Sequence, residues 1–111
     1  MGREFFARLK LADGTLPEYD RAYLVVSVSR ATVGVLNVST VSGKEQKLLY
    51  SSNRLLNKYF PPFPQRSFVK LDSLVYVSAD ELNNVHVLSG GNMLDGAELS
   101  SVLNDMKIFC R

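Results

Sequence analysis

The chain has 111 residues, 46% of them hydrophobic and 22% charged, and a net charge of +2. That length supports a single domain, residues 1–111, with a core that needs no metal or disulfide. One cysteine, Cys110, and one histidine, His86, exclude an intramolecular disulfide, a Cys-rich zinc site and a histidine-rich metal site, and the small charge does not by itself announce nucleic acid.

Apolar runs such as Tyr23–Val26 are too short to span a membrane. The segment MGREFFARLK lacks the apolar stretch of a signal peptide, and Phe6 stands where a myristoylation signal needs Ser or Thr. A cytoplasmic location is expected, which suits a chain with a single cysteine.

In chain order, residues 4–11 read as a first strand, 12–14 as a turn and 15–20 as a polar loop holding Pro17. Residues 22–29 and 33–40 are rich in Val, Leu and Tyr without a helical period, and predict two central strands. Gly43 closes the second of these, and the KEQK that follows is a solvated turn. In residues 46–59 a short strand at Leu48–Tyr50 is followed by a helical turn capped by Ser51 or Ser52, with Leu55 and Leu56 buried.

Residues 60–65, FPPFPQ, exclude a regular helix or central strand. They form either a stiff connector whose Phe60 and Phe63 fold back on the core, or an aromatic–proline patch for a partner. Residues 67–77 predict a strand with a bend or bulge at Asp72–Ser73. A short helical turn over 78–82 and a last strand, 85–88, precede the turn at 89–91.

The one long helix is expected from Asp95 to Phe109. Asp95 is a suitable N-cap and Glu98 stands at capping-box spacing. Leu99, Val102, Leu103 and Met106 recur on one face. Many short strands and one terminal amphipathic helix predict a mainly β fold, a small barrel with the helix against one side. A barrel of this size has no large cavity, so function is expected on loops and the outer surface.

No phosphate-loop, dinucleotide, zinc or nucleophile-elbow motif is present. His86 alternates with Val85 and Val87 and reads as a strand residue facing solvent or a partner strand. The remaining polar residues stand at strand ends: Arg21, Ser39, Thr40, Ser42, Lys70 and Asp72. They are either ordinary edge polarity or a phosphate site. RNA cleavage by internal attack needs a base for the 2′-hydroxyl proton, an acid for the leaving oxygen and a cation for the phosphate. Arg, Lys and Asp supply these without metal.

The order of elements resembles the PemK/MazF/Kid family of toxin endoribonucleases, over nearly the whole chain and at low identity. The resemblance is carried by the first strand near Glu4 and the charged loop after it. It continues in Arg21-Ala-Tyr-Leu-Val-Val-Ser, in Val35–Ser42, in Ser67-Phe-Val-Lys-Leu-Asp72 and in the terminal helix. It implies an SH3-like barrel that forms a homodimer, cuts single-stranded RNA without metal or other cofactor, and is neutralised by an antitoxin protein. It assigns catalysis to Arg21, Lys70 and Asp72, with Arg21 on the scissile phosphate, and RNA contact to Thr40 and Ser42.

Some positions depart from the pattern. Ala22 replaces the proline after the arginine, Val41 stands where the family has Thr, and Lys70 is Arg in some members. The FPPFPQ connector is unusual for the short toxins. The competing expectation is a catalytically inactive binding module on the same barrel. Such a module would hold RNA uncut or dock a protein through Tyr59, Phe60 and Phe63.

Overall fold

The structure, a computed structural model, describes the backbone of residues 4–7, 21–60, 62–78, 86–87 and 93–109, and the side chains of 22–60, 62–78 and 93–109. Among the described residues, seven strands and one α-helix follow in order. The strands are β1 (Glu4–Ala7), β2 (Arg21–Val28), β3 (Thr32–Thr40), β4 (Asn53–Leu55), β5 (Ser67–Lys70), β6 (Val75–Ser78) and β7 (His86–Val87). The helix is α1 (Gly96–Phe109). The chain is mainly β, with a single antiparallel sheet in the order β4-β5-β3-β2-β1-β7 and β6 also on β3.

The expected closed barrel is corrected by this path. Its end strands, β4 and β7, are not paired with each other among the described residues. Closure requires every strand edge to find a neighbour. Here β3 instead divides one edge between two strands. Val38–Thr40 pair with β5, while Thr32–Val35 pair with β6.

Both sides of the β2–β3 pair are buried, which explains the nearly unbroken apolar run from Ala22 to Val26. Leu24, Val26, Leu36 and Val38 join Leu56, Phe63, Val69, Leu71, Leu94 and Val102 in the larger cluster. Tyr23, Val25, Val35 and Val77 form a second. A bulge lies between Val25 and Ser27, where the pairing passes from Val25↔Val35 to Ser27↔Gly34. An extra residue of this kind increases the local twist of the hairpin.

The helix packs through the expected stripe, but its centre is Val102, which is fully buried. Leu99, Leu103 and Met106 are only partly so. At its start the Glu98 amide donates to Asp95 Oδ2 at 3.1 Å, the bond expected of an N-cap.

One local expectation is reversed. Residues Glu45–Leu49 form a 3-10 turn, and the strand comes after it, at Asn53–Leu55. Leu49 is exposed, whereas Leu56 is buried at the end of β4. Burial of Leu56 and pairing with β5 therefore decide the order, over local propensity. Gly43, at φ 76°, takes the left-handed conformation of the turn after β3.

The connector splits the expectation for its aromatics. Phe63 and Pro62 are fully buried, while Phe60 is 71% exposed. The helical turn expected over 78–82 does not include Ser78, which ends β6; its other residues, together with residues 8–20, the outer residues of the last strand, the turn at 89–91 and Cys110, lie outside the described residues. Among the described residues, no helix is long and apolar enough to cross a membrane.

Candidate functional site

The sheet register divides the five candidate residues into two groups. Arg21 opens β2 and pairs with Ala7 on one side. On the other side, the pair Ala22↔Val38 brings Arg21 opposite Ser39. Thr40 is exposed at the end of β3, opposite Ser67, and Ser42 is exposed in the turn that follows. These three therefore share one rim of the sheet.

Lys70 and Asp72 stand at the opposite end of β5. Lys70 is half-buried and pairs with Asn53; Asp72 is exposed. With strands about 4.8 Å apart and residues about 3.3 Å apart along them, the Arg21 and Lys70 backbones are about 12 Å from each other. Lys70 and Asp72 are brought together, as are Arg21, Thr40 and Ser42, but the two groups are not in backbone contact.

The Lys70–Asp72 corner is a break in a long strand. Val38 pairs with Val69 and Val35 with Val75, so β3 advances three residues while its partner advances six. The three extra residues make the bulge expected at Asp72–Ser73. Its backbone is tied on both sides. The Leu71 amide donates to Ser52 O at 2.7 Å, and the Ser73 amide donates to Lys70 O at 3.1 Å. The Ser73 hydroxyl donates to Lys70 O at 2.6 Å and accepts the Asn37 amide at 2.8 Å. Asn37 is buried, and its side-chain amide donates to Ala22 O at 3.1 Å.

A charge network not foreseen from the sequence holds the neighbouring strand to the helix. Arg54, on β4, donates through Nη1 to Glu98 Oε1 and through Nε to Asp105 Oδ2, both at 2.8 Å. Its Nη2 donates to the Ser101 hydroxyl at 2.8 Å. Glu98 Oε1 also accepts the Asn57 amide at 2.7 Å. Burial is the largest influence on the Glu98 carboxyl and opposes its ionisation. Hydrogen bonds from Arg54 and Asn57, together with the Arg54 charge, outweigh it and hold the group below its ordinary range. The capping-box spacing concealed this role, because Glu98 spends its oxygen on Arg54 and Asn57.

An open cleft of about 300 Å³ lies over this network, with Ser51, Asn53, Arg54 and Leu71 on one side and Asp105, Ile108 and Phe109 on the other. Among the described residues, no three His, Cys, Asp or Glu side chains group as a metal site would. Compared with known proteins, the chain matches no family model and no curated protein.

Proposed function

We propose that this chain is a metal-independent endoribonuclease that cuts single-stranded RNA, on an open form of the SH3-like, PemK/MazF/Kid-type fold. The observation that carries the reading is the bulged corner, where a cation and an exposed carboxylate stand two residues apart on a backbone fixed from both sides. Bulges of this kind re-aim side chains beside active sites.

In this reading Asp72 takes the 2′-hydroxyl proton and the 2′-oxygen attacks phosphorus. The bond to the 5′-oxygen breaks, leaving a cyclic phosphate on one product and a 5′-hydroxyl on the other. Lys70 assists by protonating the departing oxygen or countering its charge. Arg21 stabilises phosphate charge, with Thr40 and Ser42 hydrogen-bonding to the same strand of RNA. The partners are RNA, an antitoxin protein covering the RNA surface, and a second copy of the chain; the location is the cytoplasm.

The test is cleavage of a mixed-sequence RNA with EDTA present. Cyclic-phosphate ends are expected, and Asp72→Asn should lose about 10²-fold or more in rate. Arg21→Ala separates its possible positions: a fall in kcat marks the scissile phosphate, a rise in KM a neighbouring one.

A second reading, a binding module without catalysis, is favoured by Phe60. Its ring is exposed on a connector anchored by buried Pro62 and Phe63. RNA or protein bound with every phosphodiester intact, and binding weakened by Phe60→Ser, would establish that reading instead.

A further inference from the structure

The β3–β5 ladder has a hydroxyl where a backbone rung belongs. Val41 N–H donates to Arg66 O at 2.9 Å, and the register continues through Thr40↔Ser67, Ser39↔Phe68 and Val38↔Val69. In an antiparallel ladder the hydrogen-bonded pairs recur at every second residue. After Val41–Arg66 come Ser39–Phe68 and then Asn37–Lys70, so the Asn37 amide should donate to Lys70 O. It donates to Ser73 Oγ instead, and that hydroxyl donates its own hydrogen bond to Lys70 O.

We propose that Ser73 is the positioning residue of the Lys70–Asp72 corner, its hydroxyl wedged into the ladder so that the strand opens at Lys70 and carries Asp72 out to solvent. A serine hydroxyl suits the position because it donates once and accepts besides. Alanine at 73 leaves the Asn37 amide two options. It finds Lys70 O directly, drawing the strand back onto β3, or it stays buried without a partner. Both change where Asp72 stands relative to Lys70. The structural part of this inference rests on the ladder alone; its kinetic part rests on the ribonuclease reading.

The experiment uses the full chain, with Ser73→Ala and Ser73→Thr compared to the unaltered protein. Hydrogen exchange is followed at the Leu71 amide, whose bond to Ser52 O ties the corner down. Loss of the wedge should speed exchange there roughly tenfold, the scale of one hydrogen bond, with Leu24 and Leu36 unchanged. Ser73→Thr, which keeps the hydroxyl, should exchange as the unaltered chain does.

In RNA cleavage, kcat of Ser73→Ala should fall on the order of 10²-fold, as for a displacement of about 1 Å, with KM nearly unchanged. Ser73→Thr should restore most of it. Unchanged Leu71 exchange in Ser73→Ala overturns the proposal, whether or not the protein cleaves RNA. Faster exchange with undiminished kcat overturns the positioning role. If the unaltered chain cuts no RNA, the ribonuclease reading fails, and exchange at Leu71 alone decides the wedge. Should Ser73→Ala not fold, Ser73→Cys, a weak donor and acceptor, takes its place with the same readouts.

Discussion

Glu98 shows how one side chain serves a purpose that local pattern does not reveal. Three residues after Asp95, it has the spacing to close a capping box, yet its carboxylate faces Arg54 and the Asn57 amide. The pair is largely covered, with Arg54 at 14% exposure and Glu98 at 8%, beneath the open cleft. Arg54→Met should therefore cost about 1–3 kcal/mol in chemical denaturation, because it leaves the Glu98 carboxylate with the Asn57 amide but no counter-charge.

The pH dependence follows from the lowered Glu98 value. Its folded pKa lies below its unfolded one, so the ionised form favours folding. That contribution is complete above a pH of about 4.3, the ordinary glutamate value, and disappears as pH falls through the lower folded value. Thermal unfolding of Glu98→Gln across that acid range should show a flatter pH dependence than the unaltered chain. The partner was illegible in the sequence because Arg54 and Glu98 are 44 residues apart.

At the scale of elements, β3 holds the sheet together, and Gly34 within it shows how tightly. A Cβ added at Gly34 would lie 3.0 Å from the Tyr76 ring and 3.1 Å from Ser27 Cβ. Tyr76, 62% exposed, can swing away, whereas Ser27 sits on the paired strand. Gly34→Val should cost about 1–3 kcal/mol by overcrowding. In a double-mutant cycle, Tyr76→Ala should recover part of that loss, and strict additivity would show that the ring is not the obstacle.

The elements legible from the sequence are those whose periodicity is undisturbed by neighbours. β2, β3, the strand from Ser67 with its Asp72–Ser73 bulge, and α1 were readable in this way. The segment from Glu45 to Leu56 was not, because which leucine is buried depends on pairing with β5, beyond the proline-rich connector, and on the core that Phe63 joins. The candidate residues were legible by type, but their grouping was not. Only the register shows Arg21 beside Ser39 and Lys70 at the far end of β5.

For the molecule as a whole, the proline-rich connector lends Pro62 and Phe63 to the core. Phe63→Ala should cost about 3–5 kcal/mol, as for a fully buried phenylalanine, and a loss below about 1 kcal/mol would mean its site collapses without penalty. Phe60→Ala should change stability by less than about 0.5 kcal/mol, as expected of an exposed residue. The two substitutions, three residues apart, thus separate packing from any contact with a partner.

The sharing of β3 also sets an order of assembly. Only the three residues Ser29–Ala31 separate β2 from β3, so this hairpin closes at little entropic cost. The contacts of β5, β6 and α1 must then be recruited over much longer chain distances, onto an edge the hairpin has already formed. Substitutions in the hairpin, such as Val35→Ala, should slow refolding. Arg54→Met should chiefly accelerate unfolding, as expected if a contact spanning 44 residues forms after the transition state. Stopped-flow measurement of both limbs would reverse this order if α1 proved to dock first. With the hairpin formed first, the chain keeps its lifetime, as distinct from its equilibrium population, in the Arg54–Glu98 contact at its periphery, while its speed of formation resides in the central hairpin.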